Sequence, residues 1–186
     1  MTEKMPEKSR SNPSSNSSSN PFWEFSLKLY ASPAVQQACL ELQDGSGVDV
    51  NVLLYMLWQA SRGRVLTRAG AMAVLEAVEP WRLDVVVPLR SARRNLKVPP
   101  GAVDPKGAEA LRAIVKKAEL EAERLQQAAL HAFDVQSALR STSATSDLRG
   151  TATANVAAYA HALARPLAAA PVGVMLHALE ALVPAS

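Results

Sequence analysis

Four groups of residues in this 186-residue chain have chemistry to offer. The first is aromatic: Trp23, Tyr30, Tyr55, Trp58 and Trp81, with Asn51 beside them. Such rings can line a pocket for a planar or apolar ligand. The competing use is core packing, because each ring falls on an apolar stripe. Asn51 opens the most apolar stretch of the chain, where a buried amide needs a partner. That reads as a structural hydrogen bond before it reads as a ligand contact. Glu24 and Asp84 would act as an acid–base pair only if both faced one cavity.

The second group is basic. Arg90, Arg93, Arg94 and Lys97 recur at i, i+3, i+4 and i+7, so a helix gathers them on one face. Arg62, Arg64 and Arg68 would join them if neighbouring helix ends meet. Such a face can bind phosphate, nucleic acid or an acidic protein. The whole chain carries a net charge of only +3, with a pI near 9.2. Nucleic acid is disfavoured by that modest charge and by the absence of a helix-turn-helix or RNA-binding motif. A solvated helix face is the plain alternative.

The third group is polar: Asp44, Ser46, Asp49 and Asn51 around two glycines. Counted as a calcium loop from Asp44, it puts Val48 and Tyr55 where oxygen ligands belong. It reads instead as a helix stop followed by an N-cap. The fourth group comprises the histidines and the single cysteine. His131, His161 and His177 are far apart and lack metal-ligand spacing. Cys39 lies on an apolar stripe and reads as a buried thiol. No phosphate-binding glycine loop or nucleophile elbow is present. The expectation is no catalytic residue, no metal and no cofactor.

Helices must position these groups. Residues 1–19 are polar, lack apolar periodicity and read as a disordered tail. Asn20-Pro21 is a cap and start signal for a helix carrying Phe22, Trp23, Phe25, Leu27, Leu29 and Tyr30. Ser32-Pro33 repeats the signal, and Val35, Ala38, Cys39 and Leu42 form an amphipathic stripe ended by Gly45 and Gly47. Asp49 caps a helix over Val50–Arg62 with no polar face before Gln59; a helix apolar all round belongs at the centre. Thr67 caps a fourth helix, and Pro80 starts a fifth that Pro88 should kink. Asp104-Pro105 begins a helix running without a breaker to about Arg140, too long for a small domain to cover. Residues 141–153 read as a linker, and Ala154–Arg165 and Val172–Val183 as Ala-rich helices.

The fold expected is all-α: an irregular bundle of about five short helices plus one long helix, with flexible termini. Its helical domain spans residues 20–140, followed by the linker and the C-terminal helices at 154–186. One cysteine allows no internal disulfide, which suits a cytoplasmic protein. The N-terminus shows no apolar signal segment. No stretch is apolar enough for a membrane span, since His161, Arg165, Pro166, Pro171, His177 and Glu180 interrupt the best one.

Asn20-Pro21-Phe22-Trp23-Glu24-Phe25-Ser26-Leu27, then Ala38-Cys39-Leu40, Leu42-Gln43-Asp44, Gly47, Asp49-Val50-Asn51 and Leu53-Leu54 resemble the opening signature of an uncharacterised proteobacterial helical family. Trp81 and Pro88-Leu89-Arg90 also fit it. The resemblance covers about residues 20–140 and implies a bacterial helical domain of unknown role. The residues favour a non-enzymatic protein-interaction module with another protein as partner. The alternatives are a small-molecule binder or enzyme with an aromatic-lined pocket, and a weak nucleic-acid binder using the basic face.

Overall fold

The computed structural model describes residues 20–133 and 147–183. The expected polar tail at 1–19 lies outside them, as do residues 134–146. The described residues form eight α-helices and no strand: α1 (Pro21–Tyr30), α2 (Pro33–Ser46), α3 (Val50–Ser61), α4 (Arg68–Trp81), α5 (Val87–Asn95), α6 (Pro105–Ala132), α7 (Leu148–Ala162) and α8 (Ala169–Leu182). The all-α expectation holds.

The first three helices follow local signals. Asn20 Oδ1 accepts the N–H groups of Phe22 and Trp23, and Pro21 follows it, satisfying donors that a helix start leaves open. Gly47, at φ +63°, closes α2 in the left-handed region that favours glycine. Asp49 Oδ1 caps α3 through the N–H groups of Asn51 and Val52. Every residue from Asn51 to Ala60 is buried, and α3 is the centre of the core. Ser32 differs from expectation, since its side chain makes no cap hydrogen bond.

Pro80 does not start a separate helix. It lies inside α4, and α4 and α5 form one rod joined by a π-helical turn, Arg82–Val86. Pro80 and Glu76 are both exposed, so water can serve the carbonyl that the missing proline N–H leaves open. At Pro88 the rod changes register: the Val87 N–H reaches back to the Arg82 carbonyl, the i to i+5 pattern of a π-turn. The expected kink is thus met by a local register shift.

Helix α6 has 28 residues, about 42 Å at ~1.5 Å per residue. It ends at Ala132, short of the expected Arg140, because Phe133 turns extended and packs against the core. It packs against α1, α3 and α4, and α5 lies along it with Arg90 and Arg93 reaching Glu119 and Glu123. The result is a helical hairpin standing off the core. No residue of α5 is buried, and Ala108 alone is buried before Glu119 on α6.

The C-terminal helices start earlier than expected. Asp147 caps α7 through the N–H groups of Arg149 and Gly150, so residues 148–153 of the expected linker are helical. The cap and the burial of Thr151 and Ala152 outweigh the weak helix propensity of that Gly/Thr stretch. Helix α7 lies along α3 and α4, and α8 along α2. Together they add Val156, Tyr159, Met175, Leu176 and Leu179 to the core. Among the described residues no helix is long and apolar enough to cross a membrane.

Candidate functional site

The six residues of the aromatic set do not share a cavity. Tyr55 and Trp58 pack against Phe22 and each other, with ring centroids 5.3 to 5.6 Å apart. The Arg62 guanidinium covers the Trp58 ring at 5.1 Å. Trp23 is half-buried on α1. Trp81 is partly exposed and donates its indole N–H to the Ala122 carbonyl at 3.0 Å, tying α4 to α6. Only Tyr30 and Asn51 of this set line either of the two described cavities. Glu24 and Asp84 are exposed and line neither cavity.

Tyr30 and Asn51 open instead onto the basic residues. A cleft of about 340 Å³ lies between α1, α2, α3, α5 and α6, and Arg90, Arg93 and Arg94 form one wall. Lys116, Glu119 and Glu123 of α6 face them. Arg93 grips Glu119 through two nitrogens, Nε to Oε2 and Nη2 to Oε1. Arg90 Nε donates to Glu119 Oε1 at 3.1 Å and its Nη2 to Glu123 Oε1 at 2.6 Å. Arg94 pairs with Asp44 at 2.9 Å, both being exposed, a contact that solvent screens. Lys97 is exposed and Lys116 has no carboxylate within ion-pair distance among the described residues. Three of the four basic-face residues therefore have carboxylate partners within the molecule.

Glu119 is only 6% exposed. Burial alone would raise its pKa, but the hydrogen bonds from Arg93 and Arg90 outweigh it and hold the carboxyl below its ordinary range. Glu123 goes the other way. Its burial raises the carboxyl, and the Arg90 charge compensates incompletely.

Behind the cleft runs a buried amide network. Asn51 Nδ2 donates to Gln126 Oε1 at 2.9 Å, and Gln127 Nε2 donates to Asn51 Oδ1 at 2.8 Å. Gln126 Nε2 donates to Asp49 Oδ2, and Arg82 Nε stands 3.7 Å from that oxygen. Burial still pushes the Asp49 carboxyl above its ordinary value. Tyr159 accepts the Asp49 N–H at 3.0 Å, and burial raises its phenol. Cys39 lines the cleft, but burial drives its thiol up to about 12, so it is not a ready nucleophile. His131, His161 and His177 are exposed, and no metal-binding cluster occurs among the described residues.

Sequence reasoning missed Glu119, Glu123 and Lys116. A signal was present: Glu119 and Glu123 at i and i+4 on α6 mirror Arg90 and Arg93 at i and i+3 on α5. Nothing local says that the two helices pair. The second cavity, about 780 Å³, is an apolar groove of small residues between α8 and the α1–α2 junction.

Residues 21–130 match a family described as protein of unknown function (DUF2390), and the chain, matched over more than half its length, belongs to that family. No curated protein and no solved structure matches it.

Proposed function

We propose that this DUF2390 member is a non-enzymatic interaction module that docks another protein through the α5–α6 hairpin. The observation that carries the reading is unspent apolar surface there: Val98 is 82% exposed, Ile114 64% and Leu111 49%, and Val103 in the connecting loop and Val87 at the start of α5 are exposed as well. An exposed cluster of large apolar side chains marks an interaction surface more often than a lone one does. The charge around them points to the partner's character. Val87 to Ala132 holds nine Lys and Arg against five carboxylates. Lys97, Lys106, Lys116 and Lys117 have no carboxylate within ion-pair distance among the described residues, so an acidic partner with an apolar stripe fits best.

The test is affinity capture from the native cell with wild type and a Leu111→Glu/Ile114→Glu double variant. Wild type is expected to retain a stoichiometric acidic protein that the variant loses while keeping its helical circular dichroism. A partner captured equally by both, or none captured by wild type, would sink the hairpin reading.

A further inference from the structure

We infer that the cleft between Tyr30, Asn51, Arg90, Arg93 and Lys116 is a binding site for a small phosphate monoester carrying an apolar body. The inference does not depend on what the hairpin docks.

Three observations carry it. The first is size. At about 340 Å³ the cleft falls within the range of small-molecule sites, toward its lower end. The second is charge. Four cations and two carboxylates line it; Lys116 has no carboxylate partner among the described residues, and Arg94 is held only by its exposed, solvent-screened contact with Asp44 outside the lining. That matches a phosphate monoester, which carries nearly two negative charges at neutral pH. The third is preorganisation. An arginine offers five N–H donors. Arg90 spends two on Glu119 and Glu123, and Arg93 two on Glu119, so each keeps others for a ligand. Glu119, itself buried, fixes both guanidinium planes before any ligand arrives. Fixed donors aimed at an oxyanion lose less entropy on binding than mobile ones.

The remaining walls define the rest of the ligand. Leu40, Val50 and Leu120 give the cleft an apolar side, which fits a ring or short chain better than a second charged group. Tyr30 and Asn51 add polar groups to the lining, and Asn51 is held by the Gln126–Gln127 network.

The probes are phenyl phosphate, benzoate and neutral benzyl alcohol, titrated calorimetrically into the full chain at low and physiological salt. Phenyl phosphate is expected to bind about tenfold or more tighter than benzoate, as one further charge-assisted contact gives, and benzyl alcohol not at all. Its affinity should rise as the pH passes the phosphate's second pKa near 6. Lys116→Ala removes an exposed side chain, so the fold is expected to survive, and it is expected to weaken phenyl phosphate about tenfold. Arg93→Lys, which keeps the charge but loses the fork, should weaken it as well. In a nitrogen–proton NMR spectrum the Asn51 side-chain amide should shift on saturation. No binding of phenyl phosphate at millimolar concentration overturns the site. Binding that Lys116→Ala leaves unchanged, or that leaves the Asn51 amide unmoved, overturns it equally.

Discussion

Helices α3, of 12 residues, and α5, of 9, are held in opposite ways. In α3 every residue from Asn51 to Ala60 is buried, whereas in α5 none is. Removal of apolar surface from water stabilises α3. Helix α5 is held by its covalent continuity with α4, by its packing on α6, and by arginines that reach Glu119 and Glu123. The contrast teaches that the fold and the surface on offer are segregated. Residues around α3 make the structure, and residues on the hairpin are left with unspent apolar area and charge.

The sharpest way to break that comparison is a cavity at the centre. Leu57→Ala should lose about 2–5 kcal/mol in urea denaturation, because Leu57 is fully buried. A loss below about 1 kcal/mol would remove α3 from the centre of the core.

Next in size is Asn155→Ala. The Asn155 amide donates to the carbonyls of Met56 and Arg64 and accepts the Leu66 N–H, so its loss strands the Arg64 carbonyl and the Leu66 N–H, while the Met56 carbonyl keeps its helical partner within α3. The expected cost is about 2–4 kcal/mol, since each stranded buried group costs ~1–3 kcal/mol and some regain water. It should appear as a lower denaturation midpoint with an unchanged slope.

The two regions should also answer pH with opposite signs. Asp49, behind the cleft, has its folded pKa raised by burial against the Gln126 and Arg82 contacts. Its contribution is complete below the unfolded value of 3.8 and is lost as pH rises through the folded one. Asp49→Asn should therefore gain on wild type as pH rises above the unfolded value of 3.8. Glu119, on the hairpin, has its folded pKa lowered, the arginine hydrogen bonds overcoming burial. Its contribution is present above the unfolded value of 4.5 and is lost as pH falls through the folded one. The deficit of Glu119→Gln should be largest near neutrality and shrink as pH falls below the unfolded value of 4.5. Chemical denaturation across pH checks both, and a common sign would erase the distinction.

The smallest effect belongs to Ile114→Ala. With its side chain mostly in solvent, stability should change by no more than about 0.5 kcal/mol. A melting temperature unchanged within error, with weakened capture of the partner, separates interaction from folding. A large destabilisation would mean that the hairpin's apolar residues serve the fold.

Much of the architecture was legible because its signals are local. Asn20, Pro21, Gly47, Asp49 and Thr67 each act within one turn of the helix they bound, and the unbroken apolar run of α3 announced its burial. Pro80 was misread because a proline's missing donor matters only where water cannot replace it, and the sequence does not show which carbonyls face water. The start of α7 was misread because Thr151 and Ala152 become worth ordering only against α3 and α4. The basic face was legible as a stripe, but its neutralisation was not. Glu119 and Glu123 lie 26 to 33 residues along the chain from their arginines.

By itself, then, the sequence determined that the described chain is helical, where its first four helices begin, that α3 is central and that Cys39 is buried. Periodicity and capping depend on neighbours three or four residues away. Only the tertiary structure decided that α4 and α5 are one rod, that α7 and α8 complete the core, and that Tyr30 and Asn51 share a cleft with three arginines. Those outcomes depend on which distant surfaces meet. Burial and ion pairing stabilise only after the chain has closed the loops between them.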